Sequence, residues 1–302
     1  MPVRVQRAGA LVGALGLAEQ ALAAGRDRIE RVEITVAESI DVGSRGAYYD
    51  AAGVIRDMVQ NHLTQVLTLI AMEAPASMRA DAVRAEKIKV LESMRRLDPA
   101  RIVLGQYEGG TVAGRDVAAY RDLDRVDPAS RTPTYAAIEA RIDNWRWQGV
   151  PFLLRTGKAM AERVTEVAVR FKEPPVCFFH GEADDCPTHA DVLYLRLQPD
   201  EGFRLDIEVK EPGAAGIRTV PLTFRYADEF GSVPEAYATL LRDVVRGDQT
   251  HFVRSDWVEE SWRTYEPILD ADVRPEPYAA GSWGPDAARL LLDGDTRWST
   301  GG

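Results

Sequence analysis

Between Ile55 and Ile70 apolar residues return every three or four positions. With Ile55 at zero on an ideal helix of about 100° per residue, Val59, Leu63, Val66 and Ile70 fall within roughly 80° on one side and Met58 within about 60° on the other. The pattern predicts a long helix, capped by Asp50 and running to about Met72. His62 falls near the middle of its apolar face and is expected to be buried. A buried imidazole is costly unless its nitrogens are paired, so His62 reads either as a satisfied core histidine or as a base.

The rest of the chain divides by period. Val32 to Ala37 alternates as a strand, a charged helix follows over about Ala80 to Arg96, and Ile102 to Tyr107 is strand-like. Gly109 to Pro133 is polar and turn-rich, a long excursion. Strand patterns then recur over Tyr135–Ile142, Phe152–Arg155, Val164–Phe171, Val192–Leu197, Phe203–Val209 and Val220–Phe224, joined by short Gly, Pro and Asp connections. The end turns helical, over about Glu235–Arg246, Asp256–Leu269 and Pro285–Leu292. Strands grouped between helices predict an α+β domain: a large, mainly antiparallel sheet with helices packed on one face and at the ends.

Composition narrows the function. A chain of 302 residues with 45% hydrophobic and 28% charged positions can bury a sizeable core as one large domain. A net charge of −10 without a basic stripe argues against nonspecific nucleic-acid binding. No stretch is apolar for long enough to span a bilayer. The first residues do imitate an export signal, with Arg4 and Arg7 before an apolar run from Ala8 to Ala18 and an A-x-A at Ala21–Ala23. The run is short, however, and an alanine-rich helical leader over residues 1–29 is the better reading. Cys177, His180, Cys186 and His189 form a C-x-x-H-x5-C-x-x-H string; it reads as a metal site, a disulfide or a polar connection.

The spelling of particular segments goes further. R-G-A-Y-Y-D-x-x-G-V-I-R-D-M-V-Q-N-H-L from Arg45, followed by A-M-E-A-P at Ala71–Pro75, resembles the signature region of glucose-6-phosphate dehydrogenases. The likeness continues in family order through Val32–Glu38, Val103–Tyr107, Trp147–Met160, Arg196–Gly202, His251–Asp256, Ser261–Arg263 and Ala280–Pro285. It implies that residues 30–298 are a carboxy-terminal, substrate-binding and oligomerising domain, homodimeric through a sheet face and its edge, cytoplasmic, and acting on glucose 6-phosphate in the pentose phosphate pathway with NADP as cofactor.

Carried over by motif, His62 is the catalytic base that takes the proton of the sugar C1 hydroxyl. Glu38 and Asp57 hold sugar hydroxyls, and Lys158 and Arg163 are the cations that reach the substrate. Asp57 lies about 140° from His62 on the ideal wheel, so both reach one ligand only across a helix flank. Tyr48 and Asn61 read as packing and flank contacts. Val164 stands where a further basic residue often occurs, which argues against a second, structural NADP site.

Two family features have no match. Gly9–Gly16 has the wrong spacing for a dinucleotide loop, and a nicotinamide-binding fold needs many more residues than precede Glu30. The family's His-Tyr-Leu-Gly-Lys motif, preceded by Arg-Ile-Asp, is also missing. The expectation is a substrate-binding half that is inactive as a lone chain and works only with a separately encoded coenzyme-binding chain. The alternative is a noncatalytic sugar-phosphate-binding or oligomerisation module.

Overall fold

The computed structural model describes residues 25–176, 189–213, 216–231, 236–249, 252–271, 273–293 and 297–301. The leader through residue 24 lies outside them, as do Cys177, His180 and Cys186; His189 is described and exposed.

The strands are β1 (Ile29–Ala37), β2 (Ile102–Glu108), β3 (Gly110–Val112), β4 (Arg115–Val117), β5 (Tyr135–Arg141), β6 (Pro151–Gly157), β7 (Val164–Phe171), β8 (Val192–Gln198), β9 (Gly202–Lys210), β10 (Ile217–Arg225) and β11 (Glu276–Ala279). All but β3 and β4 join one nine-stranded sheet in the order β10-β9-β8-β7-β1-β6-β5-β2-β11. Two of its pairings, β1 with β6 and β2 with β11, are parallel, and the others are antiparallel. The mainly antiparallel α+β expectation is met. The excursion holds the β3–β4 hairpin.

Alternation along the strands makes two layers. Val32, Ile34, Val36, Phe152, Leu154, Val167, Val169, Leu193 and Leu195 point into a core shared with the helices. Leu153, Ala137 and Tyr135 point the other way, into a smaller core closed by Leu291, Leu292 and Trp298. Toward the β10 edge the cover ends: β9 is mostly half-buried and β10 mostly exposed.

The longer helices are α1 (Gly46–Val54), α2 (Thr64–Ala71), α3 (Ala80–Glu92), α4 (Ala236–Arg246) and α5 (Ser255–Asp270). Between α1 and α2 lies a π-helical segment, Ile55–Leu63. Here the expectation of one ideal helix capped by Asp50 fails. The helical run starts at Gly46 with no side-chain cap and kinks at Gly53, whose φ of 64° and ψ of 173° only glycine adopts readily. The kink turns the Val54 N–H out to the Pro133 carbonyl at 3.0 Å. Asp50 instead fastens the excursion: its carboxylate accepts from the hydroxyls of Tyr120 and Ser130, and its carbonyl accepts from Thr132.

The apolar face is nevertheless as read: Ile55, Met58, Val59, Leu63, Val66 and Ile70 are all buried. α5 braces it, with the Ser261 hydroxyl donating to the Gln60 carbonyl at 2.8 Å and Tyr265 hydrogen-bonded to Thr64 at 2.9 Å. α3 stops at Glu92 rather than Arg96, because the Ser93 hydroxyl donates back to the Lys89 carbonyl and Met94 pairs with Ile142. β11 has no counterpart in the sequence reading.

Candidate functional site

The parallel pairing of β1 with β6 sets the site. It aligns Ala37 with Gly157, so the next residues, Glu38 and Lys158, leave the sheet side by side at the same end. Backbone bonds hold both. The Glu38 N–H donates to Gly157 and the Glu38 carbonyl accepts from Met160 at 2.9 Å, while the Lys158 N–H donates to Thr134 at 3.0 Å. Gly157 is required at the turn, since a Cβ there would stand 2.8 Å from the Tyr135 ring and 2.9 Å from the Met160 sulfur. The Tyr278 hydroxyl of β11 donates to the Lys158 carbonyl at 2.7 Å.

The Lys158 side chain is 3% exposed, and its ammonium lies between two carboxylates. It donates to Glu38 Oε2 and sits 3.2 Å from Asp57 Oδ2. Taking an ammonium out of water costs several kcal/mol, which two partners offset. The triad carries a net charge of −1 when all three are ionised. Asp57, 18% exposed, is the member open to solvent. The Tyr49 ring faces the ammonium at 5.4 Å. Burial, reinforced by the charges of Asp57 and Glu38, pushes the Tyr49 hydroxyl well above its ordinary pKa, so it is a neutral donor at pH 7. Burial likewise holds Tyr278 protonated.

Asp57 and His62 both lie on the π-helical segment, and His62 is 5% exposed. The 140° separation read from an ideal α-helix does not survive. In a π-helix hydrogen bonds reach the fifth residue, so each turn holds more residues and positions five apart draw toward one flank. The Thr64 hydroxyl reinforces this spacing by donating to the Val59 carbonyl at 2.7 Å.

The structure thus brings Glu38, Asp57 and Lys158 into contact, with His62 on the segment that carries Asp57. Arg163 is not part of that cluster. It is exposed, ahead of β7, and donates to Gln198 at 3.2 Å. Asn61 is a flank contact, accepting from Gln65 at 2.8 Å. Tyr48, read as a packing residue, is instead 61% exposed, and its neighbour Tyr49 is the buried one. Tyr49, Thr134 and Tyr278 were missed. Tyr49 lay within the matched spelling; Tyr278 sits on a four-residue strand that carries no periodic signal.

Among the described residues no group of three or more His, Cys, Asp and Glu is arranged to hold a metal ion. None of their helices is long and apolar enough to cross a membrane.

Residues 22–299 match the family described as glucose-6-phosphate dehydrogenase, C-terminal domain. Glucose-6-phosphate 1-dehydrogenase of Mycolicibacterium smegmatis is 48% identical over 286 residues, 91% of this chain and 57% of that protein. The Dickeya dadantii enzyme of the same name is 42% identical over 282 residues, 89% of this chain and 57% of its own length. The chain therefore spans a little over half the length of these relatives. Among solved structures, glucose-6-phosphate 1-dehydrogenase from Mycobacterium avium superposes with a TM-score of 0.83 at 36% identity, over 98% of this chain and 60% of that one. A glucose-6-phosphate dehydrogenase in complex with its substrate glucose 6-phosphate gives 0.87 at 33% identity, over 99% and 61%. Motif spelling, sheet topology and these matches agree that the chain belongs to the glucose-6-phosphate dehydrogenase C-terminal domain family.

Proposed function

We propose that the described residues form the sugar-phosphate-holding half of a glucose-6-phosphate dehydrogenase. One observation carries the reading: a buried lysine held between two carboxylates, beside the segment that bears His62. An ammonium suits a phosphate, and ionised carboxylates accept from sugar hydroxyls in bonds worth about 1.5–3 kcal/mol each. His62, as a neutral imidazole, takes the proton of the C1 hydroxyl as that carbon is oxidised. Arg163 approaches only if it gives up Gln198. The described residues build nothing that receives the hydride. That role falls to a coenzyme-binding unit using NADP, and these residues alone are expected to give no turnover.

A second copy is assigned to the open side of the sheet. Supporting this, the longer helices pack mainly on one face, the other is covered in part by Leu291, Leu292 and Trp298, and the cover thins toward β9 and β10. The noncatalytic alternative keeps the same sugar-phosphate affinity or the same pairing without the reaction.

Calorimetry with glucose 6-phosphate tests the reading. Binding should appear with this chain, vanish in Lys158→Ala and persist in His62→Ala. In an assembled enzyme His62→Ala should lower the rate by about 10² to 10⁴. Heat absent from the unaltered chain would refute the reading, and NADP-linked turnover by the chain alone would refute its expected inactivity.

A further inference from the structure

Ala159, the residue after Lys158, has a φ of 48°, a left-handed conformation that alanine adopts at a cost and glycine freely. A flip of the rigid peptide between Lys158 and Ala159 is the local escape: it returns that φ to negative values and rotates ψ of Lys158 with it. Both ends of this peptide are fastened. Its N–H donates to the Ile40 carbonyl at 2.9 Å, and its carbonyl, that of Lys158, accepts from the Tyr278 hydroxyl at 2.7 Å.

Tyr278, 4% exposed, has one hydrogen to give, and it goes to Lys158 rather than to the Thr134 carbonyl 3.5 Å away. The Thr134 hydroxyl, 3.1 Å from the Tyr278 oxygen, is then the donor of that pair, and it accepts in turn from the Tyr107 N–H at 3.0 Å. Every bond in this relay points toward the Lys158 carbonyl. The turn after Tyr278 holds the next links: Gly281 donates to the Ala159 carbonyl at 2.8 Å, and Ala161 donates to the Ser282 carbonyl at 2.9 Å. Strained backbone persists where its surroundings over-determine it, and such places cluster at functional sites.

We propose that Tyr278 is a positioning residue that locks the peptide between Lys158 and Ala159 against this flip, and so aims the Lys158 ammonium at its carboxylates and at a phosphate. It acts through the main chain. The rotamers open to a lysine depend on its φ and ψ, so a flipped peptide removes the one that delivers the ammonium. This rests on the sugar-phosphate reading of the site, and it gives the short strand β11 a task there.

Calorimetry with glucose 6-phosphate on this chain, arranged as a double-mutant cycle, tests it. Tyr278→Phe keeps the ring and removes the lock, so it should weaken binding by about tenfold, as when about a tenth of the molecules stay competent. Ala159→Gly removes the strain that drives the flip. Tyr278→Phe/Ala159→Gly should therefore bind within about twofold of Ala159→Gly alone. A tyrosine that only adds stability would lower the thermal midpoint in both backgrounds and leave the affinity of the folded protein unchanged. Equal losses of affinity in the two backgrounds, or none in either, overturn the inference while the sugar-phosphate reading stands; if the unaltered chain fails to bind, both fall. Should Tyr278→Phe alone not fold, the double variant decides: folded and binding, it supports the lock, and unfolded it overturns it.

Discussion

Arg155 and Lys158 are three residues apart, both 2% exposed, and held in different ways. Arg155 lies in β6 with its guanidinium 5.0 Å from the Trp283 ring and 4.5 Å from the Trp298 ring, donating to the Thr300 carbonyl and to Thr35. The nearest carboxylates are engaged elsewhere: Glu33 accepts from Arg31 and Ser299, and Glu166 accepts from Arg196 and Thr300. Lys158 stands just past the strand end and is matched by two carboxylates, one of them partly open to water, with the Tyr49 ring 5.4 Å away. Indoles and backbone carbonyls fix a planar cation in one place. Carboxylates satisfy a flexible ammonium that is able to leave. The first arrangement suits a fastener and the second a ligand site.

The largest expected effect tests the fastener. Arg155→Leu should cost about 3–5 kcal/mol in urea unfolding at every pH from 5 to 8, since no nearby carboxylate depends on it alone. Arg155→Lys should recover little, because an ammonium does not spread between two rings. If Arg155→Lys restores full stability, the contrast is wrong.

Lys158→Met should cost less than Arg155→Leu, about 2–4 kcal/mol in urea unfolding, because Asp57 is partly open to water and can turn to it when the cation is removed. A cost equal to or above that of Arg155→Leu would erase the distinction between the two cations.

Alkali supplies a third test. Around Lys158 burial holds Tyr49 and Tyr278 above their ordinary range, and on α5 it pushes Tyr265 up to about 12, whereas indoles do not titrate. For a tyrosine whose folded pKa is raised, the unfolded chain loses its proton first, near pH 10, and stability then falls as pH rises toward the folded value. The loss is about 1.4 kcal/mol per pH unit for each such group. Tyrosinate absorbance should therefore appear together with unfolding; its appearance while the fold persists would contradict the burial of these rings.

Lys87 is a third cation and the mildest case, set 5.6 Å from the Trp257 ring, with burial and neighbouring Arg84 lowering it to about 8. Its charge burdens the folded state fully below pH 8, and the burden lifts between pH 8 and the unfolded value of 10.5. Lys87→Met should stabilise the chain by about 1–2 kcal/mol at pH 7 and by nothing near pH 11. Destabilisation at pH 7 would mean that the indole contact outweighs the burial.

Some of this was legible in the letters. The 3.6-residue period of Ile55 to Ile70 survives in the structure because burial of a stripe does not depend on which carbonyl each N–H selects. For the same reason the π-helical stretch left no mark: Ile55, Met58, Val59, His62 and Leu63 are buried in either register. The sheet's antiparallel pairings follow from short connections. The parallel pairing of β1 with β6 joins segments more than a hundred residues apart, and no local pattern encodes it. Glu38, Asp57 and Lys158 were named from motif spelling, and only the register shows why they meet. Arg163 shares the spelling without sharing the cluster, since it lies beyond the turn that Ala159 and Met160 make back onto Ile40 and Glu38. Tyr48 and Tyr49 were separable only once the kink at Gly53 and the position of Lys158 were known.

The π-helical segment also works as a reserve of length. Its wide turn accommodates more residues than an α-turn over the same path, between the anchor at Pro133 and the braces from Ser261 and Tyr265. A residue removed there would close the wide turn into an ordinary α-turn and leave both anchors in place, whereas a residue removed from α2, which has no such slack, would rotate everything ahead of it by about 100°. The second deletion would swing Asp57 away from Lys158 and carry the apolar stripe off its cover. Single-residue deletions in Ile55–Leu63 and in Thr64–Ala71 should therefore differ sharply, the first tolerated and the second disruptive.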